Sequence, residues 1–239
     1  MSIQTRYIIL GLARSGTTVT HFALMGHPNV SALNDEVKVS FFTDGISTFT
    51  QRNDNQREKD KGFIALFDAI TSIFANENTR ALGLKCIPDS PKSAKDLVGA
   101  LKKHFIDHKI IITVREDLVA QLGSLIRADT TGNWHSWRQH GKEKELTIVI
   151  KKSHLKKYIY TCLEISAELK KLHKTHDVLE FYYEKNFLNN SQPDFIELFD
   201  FLNLPRENVT WLKSEKVAPA PELYIKNYAK LKRLHEEIK

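Results

Sequence analysis

The chain has 239 residues, 41% of them hydrophobic, enough to bury one substantial core. Its 35 basic residues stand against 29 acidic ones, and the resulting charge of +6 suits an anionic ligand without specifying nucleic acid. No apolar run approaches the ~18–20 residues of a membrane helix. The start, MSIQTRYIIL, enters a strand pattern rather than a cleavable leader. Cys86 and Cys162 are too few for a disulfide framework and fall in apolar patterns, so both are expected as reduced core thiols. One cytoplasmic domain over residues 1–239 is the expectation.

In chain order, residues 6–12 read as a buried strand and 16–26 as the helix after it. VSALND (30–35) reads as a short second strand reaching Asp35 and Glu36. Residues 51–61, QRNDNQREKDK, hold no apolar side chain and read as an exposed loop or frayed helix surface. A helical pattern occupies 62–74, a short strand 81–86, and a helix about 91–104 after the stop set by Pro88 and Pro91. KIIITVR (109–115) is the clearest buried strand, with a helix pattern, DLVAQLGSLIRA, behind it. A long amphipathic stretch, 143–174, precedes a fourth strong strand at 177–183 and two helical segments near 192–203 and 221–237. Alternating strands and helices predict a three-layer, P-loop-like α/β/α fold whose central parallel sheet has about four to five strands. Ligands of such sheets bind at the carboxyl ends of the strands.

Three polar groups fall at those ends. The first is GLARSGTT, where the spacing from Gly11 to Gly16 is that of a P-loop, but Thr17 stands in place of the lysine. A glycine-bracketed turn into a helix still offers free amides and a favourable dipole, supplemented by the hydroxyls of Ser15, Thr17 and Thr18. The alternative is an ordinary strand–turn–helix with capping residues. The second group lies around Glu36. The third is Arg115, a cation where a metal–triphosphate site needs an aspartate, which argues for a second anionic group there.

The combination of Arg14-Ser15-Gly16-Thr17-Thr18 with T-V-R115-E-D-L-V-A-Q-L-G-S124 resembles the family of sulfotransferases that use 3′-phosphoadenosine 5′-phosphosulfate. Commonly a serine follows the arginine by eight residues; here that position is Gly123, and Ser124 follows by nine. The stretch REDLVAQLGSLIRADTTGNWH is similar to the bacterial trehalose-type carbohydrate subgroup, where the longer spacing recurs. The resemblance implies that Arg14, Ser15, Gly16, Thr17 and Thr18 cradle the 5′-phosphosulfate. It also implies that Arg115 and Ser124 hold the 3′-phosphate, no metal is used, and the product is 3′-phosphoadenosine 5′-phosphate (PAP). Arginine's planar fork suits that phosphate on physical grounds as well.

Sulfuryl transfer needs cations on the sulfuryl and leaving oxygens, a base for the acceptor hydroxyl, and in-line positioning. Arg14 is expected to supply charge, and Lys85, near the end of a strand, to add to it or else to be an edge residue. Glu36 is the expected base, with Asp35 as close competitor and His21, His27 and His135 as weaker ones. Asn34-Asp35 can instead be a helix cap with Glu36 in the first turn. Glu184 reads as a cap rather than a ligand, and Lys213 and Lys216 as possible phosphate contacts. Trp134 and Trp137 form either an acceptor wall or pins to the core. The acceptor is expected to be a hydroxyl of a carbohydrate or small metabolite, with no nucleic-acid partner. Two alternatives stay open: a P-loop nucleotide kinase with an altered loop, or a polyanion-binding module using Lys151, Lys152, Lys156, Lys157, Lys170 and Lys171.

Overall fold

The computed structural model describes residues 3–43, 65, 67–134, 146–188, 195–206 and 220–238, with the side chain of Asp35 excepted. Within these, five strands form one sheet: β1 (Thr5–Gly11), β2 (Val30–Val37), β3 (Ala81–Cys86), β4 (Lys109–Val114) and β5 (Val178–Tyr182). They lie in the order β2-β3-β1-β4-β5, and every pairing is parallel. All carboxyl ends therefore share one rim.

The apolar runs form strands because both of their faces are covered. On one face Ile8, Leu10, Leu84 and Ile112 pack against α2 (Pro91–His104) and α4 (Lys152–Lys170). Tyr7, Ile9, Ile111 and Phe181 face the other way, onto α1 (Thr17–Met25) and α5 (Ile196–Phe201). Burying each such side chain stabilises by about 1.5–3 kcal/mol relative to exposure. The fold is the expected three-layer α/β/α arrangement. A third apolar cluster joins α3 (Leu118–Thr131), α4, α6 (Pro221–Tyr224) and α7 (Tyr228–Ile238) beside the sheet.

Local signals set the helix ends. Ser90 and Ser93 form a reciprocal capping box at the start of α2, with Pro91 in the first turn. Asp117 caps α3 by accepting from the Ala120 amide at 2.9 Å. The segment expected as one helix over 221–237 is two, because Ile225 is extended and bridges to Ile148. Ile148 donates to the Tyr224 carbonyl at 2.8 Å and accepts from the Lys226 amide at 3.0 Å. That exchange outweighs local helix preference. Of the 143–174 stretch, 152–170 is helical and ends in a tight turn at Lys171–Lys174. The 51–61 segment lies outside the described residues. No described helix is long and apolar enough to cross a membrane.

β2 is longer than its pattern predicts, and it is bulged. Ala32 pairs with Gly83 and Glu36 with Lys85, so residues 32–36 of β2 span only 83–85 of β3. Bulges re-aim side chains, and this one sets Glu36 beside Lys85. Cys86 and Cys162 are free and buried, as expected.

Candidate active site

The loop after β1 is built from close approaches. A Cβ on Gly11 would meet Thr113 Oγ1 at 2.2 Å and Ser15 Oγ at 2.8 Å. Ser15 and Thr113 share a hydrogen bond of 2.7 Å, tying the loop to the neighbouring strand β4. Gly16 has φ 101°, and a Cβ there would stand 2.9 Å from the Tyr183 ring. Arg14, at φ 65°, is a non-glycine residue in the left-handed region, a conformation costing about 1–2 kcal/mol and concentrated at functional sites. Gln121 Nε2 donates to the Ala13 carbonyl at 2.7 Å, bracing the loop from α3. At the start of α1, no side chain caps the helix and no acidic residue lies in its first turn. Its amides face the rim with the dipole unopposed.

Arg14 and Arg115 converge beyond this loop. Arg14 donates from Nε to Ser124 Oγ at 3.0 Å and from a terminal nitrogen to the Trp134 carbonyl at 2.7 Å. Arg115 donates to the Arg14 carbonyl at 3.1 Å, and its guanidinium lies 4.6 Å from the centre of the Tyr183 ring. Its side chain is 8% exposed and approaches Glu184 at 3.9 Å, yet its buried Nε has no hydrogen-bond partner. Burial, followed by the charge of Arg115, lowers the Arg14 pKa. Glu184 is the cap anticipated from sequence, accepting from the amides of Glu116 and Asp117 at 3.0 and 3.1 Å. Where Ser124 and Arg115 were expected as a pair, Ser124 bonds Arg14, so three groups rather than two meet at this end.

A second pole lies across the loop. Lys85 is 4% exposed and donates to Thr18 Oγ1 at 2.9 Å. Its register partner Glu36 is exposed, although the surrounding protein partly desolvates the carboxyl. That desolvation raises the Glu36 pKa, and Lys85 opposes the rise. His21, fully buried on α1, is pushed down to about 4 by burial and then by Lys85. Its Nε2 bonds the Leu33 carbonyl at 2.7 Å, within the bulged stretch of β2. His27 is buried too, bonded to the Pro205 carbonyl at 2.9 Å with its ring 4.9 Å from Phe199. Both histidines hold structure here.

The structure thus brings Arg14, Ser15, Gly16, Thr17, Thr18, Arg115 and Ser124 together, and places Lys85 and Glu36 on the α1 side of the same rim. Thr17, at the start of α1, is buried. Trp134 is exposed, and its carbonyl serves Arg14. His135, Trp137, Lys213 and Lys216 lie outside the described residues. The lysines of the 151–171 region are exposed along α4 and its ends, as the solvated face of a helix. Sequence reasoning missed Thr113 and Gln121, although a polar residue ending an isoleucine run and a glutamine on an apolar helix face are visible signals.

A model of the sulfotransferase family matches residues 7–208. The chain belongs to the sulfotransferase family. No curated protein matches it. Among solved structures, a sulfotransferase from Alicyclobacillus acidocaldarius is similar at 16% identity and a TM-score of 0.47, covering 98% of this chain and 96% of that one. The sulfotransferase domain of the Synechococcus PCC 7002 olefin synthase is similar at 13% identity and a TM-score of 0.49, covering 99% and 96%. Neither likeness is close enough to bear on donor or acceptor.

Proposed function

We propose that this sulfotransferase moves a sulfuryl group from 3′-phosphoadenosine 5′-phosphosulfate to a hydroxyl of a carbohydrate or small metabolite. We further propose that residues 1–239 act as one domain and need no metal. The two reduced, buried cysteines fit a cytoplasmic setting.

The observation that carries the reading is the meeting of Arg14, Arg115 and Ser124 beside an uncapped helix start. Arg115 keeps a buried Nε without a hydrogen bond, Glu184 standing 3.9 Å away, and an anion placed between the two guanidiniums would be held by both. A donor phosphorylated at both its 5′ and 3′ positions offers two anions to one rim. The loop amides with Ser15, Thr17 and Thr18 suit the 5′ group, and Arg115 with Ser124 suits the 3′ group.

When bound, the donor supplies a sulfuryl group carried on a phosphate. The acceptor oxygen bonds to sulfur as the sulfur–phosphate oxygen bond breaks, and the acceptor's proton passes to Glu36. The raised pKa makes Glu36 the stronger base for that role. Lys85, anchored on Thr18, supplies positive charge on the Glu36 side, and Arg14 adds charge from the loop. Because the Arg14 guanidinium lies on the Ser124 side, Lys85 is assigned the place nearer the transferred group.

The test is equilibrium binding of PAP and AMP in EDTA, for the wild type and Arg115→Ala. PAP should bind the wild type more tightly than AMP, and the substitution should weaken PAP about 10–100-fold while hardly moving AMP. Equal loss for both nucleotides would contradict the 3′-phosphate assignment.

A further inference from the structure

The turn that opens the β1 loop holds a residue in a conformation its type resists. Ser15 donates from its amide to the Leu12 carbonyl at 3.1 Å, closing a β-turn over Leu12–Ser15. Arg14, third in that turn, has φ 65°, while Ala13 before it has no positive φ. This is the sign pattern of a type II turn, whose third residue is usually glycine or asparagine. Rotating the central peptide, the Ala13 carbonyl with the Arg14 amide, gives a type I turn, which suits most residues. Strain at Arg14 therefore favours flipping this one peptide.

What opposes the flip comes from α3. Gln121, fully buried, donates from Nε2 to the Ala13 carbonyl at 2.7 Å. That carbonyl belongs to the central peptide itself, so the bond exists in only one of the two orientations. Ser124, three residues on and on the same face of α3, accepts from Arg14 Nε at 3.0 Å. Just before the helix, Arg115 donates to the Arg14 carbonyl at 3.1 Å. Two successive carbonyls of the turn are thus held by two side chains of one strand–helix segment. A trans peptide points its N–H opposite to its C=O, so the Arg14 amide faces away from Gln121. A flip would present a carbonyl oxygen on that side instead.

We propose that Gln121 is a positioning residue for the donor's 5′ group. It holds the Ala13–Arg14 peptide so that the loop offers an anion an amide rather than a carbonyl oxygen. A phosphate or phosphosulfate is attracted by the first and repelled by the second, so a flipped loop must turn back before the ligand binds. Strain at Arg14 and the bond from Gln121 oppose each other, and the bond sets the fraction of the protein that is ready to bind.

The inference rests on the proposed function, and its test separates the two. PAP and AMP, which share the 5′-phosphate, are titrated in EDTA against the wild type, Gln121→Met, Arg14→Gly and the double variant, with the thermal midpoint recorded for each. Gln121→Met is expected to weaken both nucleotides about tenfold and to leave the preference for PAP within about twofold, because the loop serves the shared group. Glycine takes positive φ freely, so in Arg14→Gly the flip relieves nothing. Arg14→Gly weakens binding by itself, and the increment on adding Gln121→Met should then be less than about threefold. Unchanged affinity in Gln121→Met overturns the inference. So does an equal increment in both backgrounds, since a packing role does not depend on residue 14. A wild type without preference for PAP overturns the 3′-phosphate assignment, while Gln121 is still decided by its effect on both nucleotides. Should Gln121→Met fail to fold, Gln121→Glu, of the same size but without the donor at neutral pH, takes its place.

Discussion

Arg14 and Ser124 are joined by a 3.0 Å hydrogen bond from Nε to Oγ, linking the β1 loop to the middle of α3. The bond orients a guanidinium whose pKa is lowered by burial and by Arg115. Ser124→Ala removes both the orienting acceptor and a candidate phosphate donor. Affinity for PAP should fall about tenfold, while the thermal midpoint moves little, since one hydrogen bond contributes about 0.5–1.5 kcal/mol. Calorimetric titration and a melting curve read the two effects separately.

Glu36→Gln separates function from stability. Its folded pKa lies above the unfolded value, so the unfolded chain releases this proton first. Stability at this group therefore falls as pH rises from the ordinary glutamate range through the folded value. The neutral Gln variant should melt no lower than wild type at neutral pH, and at a somewhat higher temperature. Its transfer rate should drop about 10²–10⁴-fold, and wild-type activity should fade as pH drops through the raised pKa. A Gln variant with full activity would transfer the base role elsewhere.

Lys85→Met keeps the buried stem and removes the charge that reaches Thr18. If Lys85 stabilises developing charge, kcat falls about 10²–10³-fold and the KM for the donor changes much less. A rise in KM alone would make it a binding residue.

Asp117 ties α3 to α7, capping α3 while accepting from Tyr228 and, at 2.8 Å, from Lys232, both of α7. Burial pushes its carboxyl up, but the hydrogen bonds from Lys232, Tyr228 and the Ala120 amide outweigh that and leave the pKa lowered. The stability it gives is present at neutral pH and is lost as pH falls through the ordinary aspartate range toward the depressed value. Asp117→Ala should cost about 1–2 kcal/mol from the cap alone. Thermal melts from neutral to acidic pH measure the loss.

Much of the fold is legible because β1 and β4 are apolar runs covered on both faces, and because Gly11, Gly16 and the TTVTHFAL pattern mark one strand–loop–helix. The bulge of β2 is not legible, since residues 33–36 lose the strand alternation where pairing with β3 takes over. The helix break at Ile225 depends on Ile148, a partner distant in sequence. The site shows the same division. Arg14, Ser124 and Arg115 stand out by residue type, but which arginine takes Ser124 follows from the left-handed turn at Arg14 and from Tyr183 and Glu184 holding Arg115.

The most direct measurement is transfer of radiolabelled sulfate from 3′-phosphoadenosine 5′-phosphosulfate across a panel of glycans and small alcohols in EDTA, with Glu36→Gln in parallel. The account predicts a labelled acceptor with the wild-type chain and about 10²–10⁴-fold less with the variant. Labelled product that forms equally with both proteins would contradict the assigned base. A folded wild-type protein that binds neither this donor nor PAP would contradict the donor assignment itself.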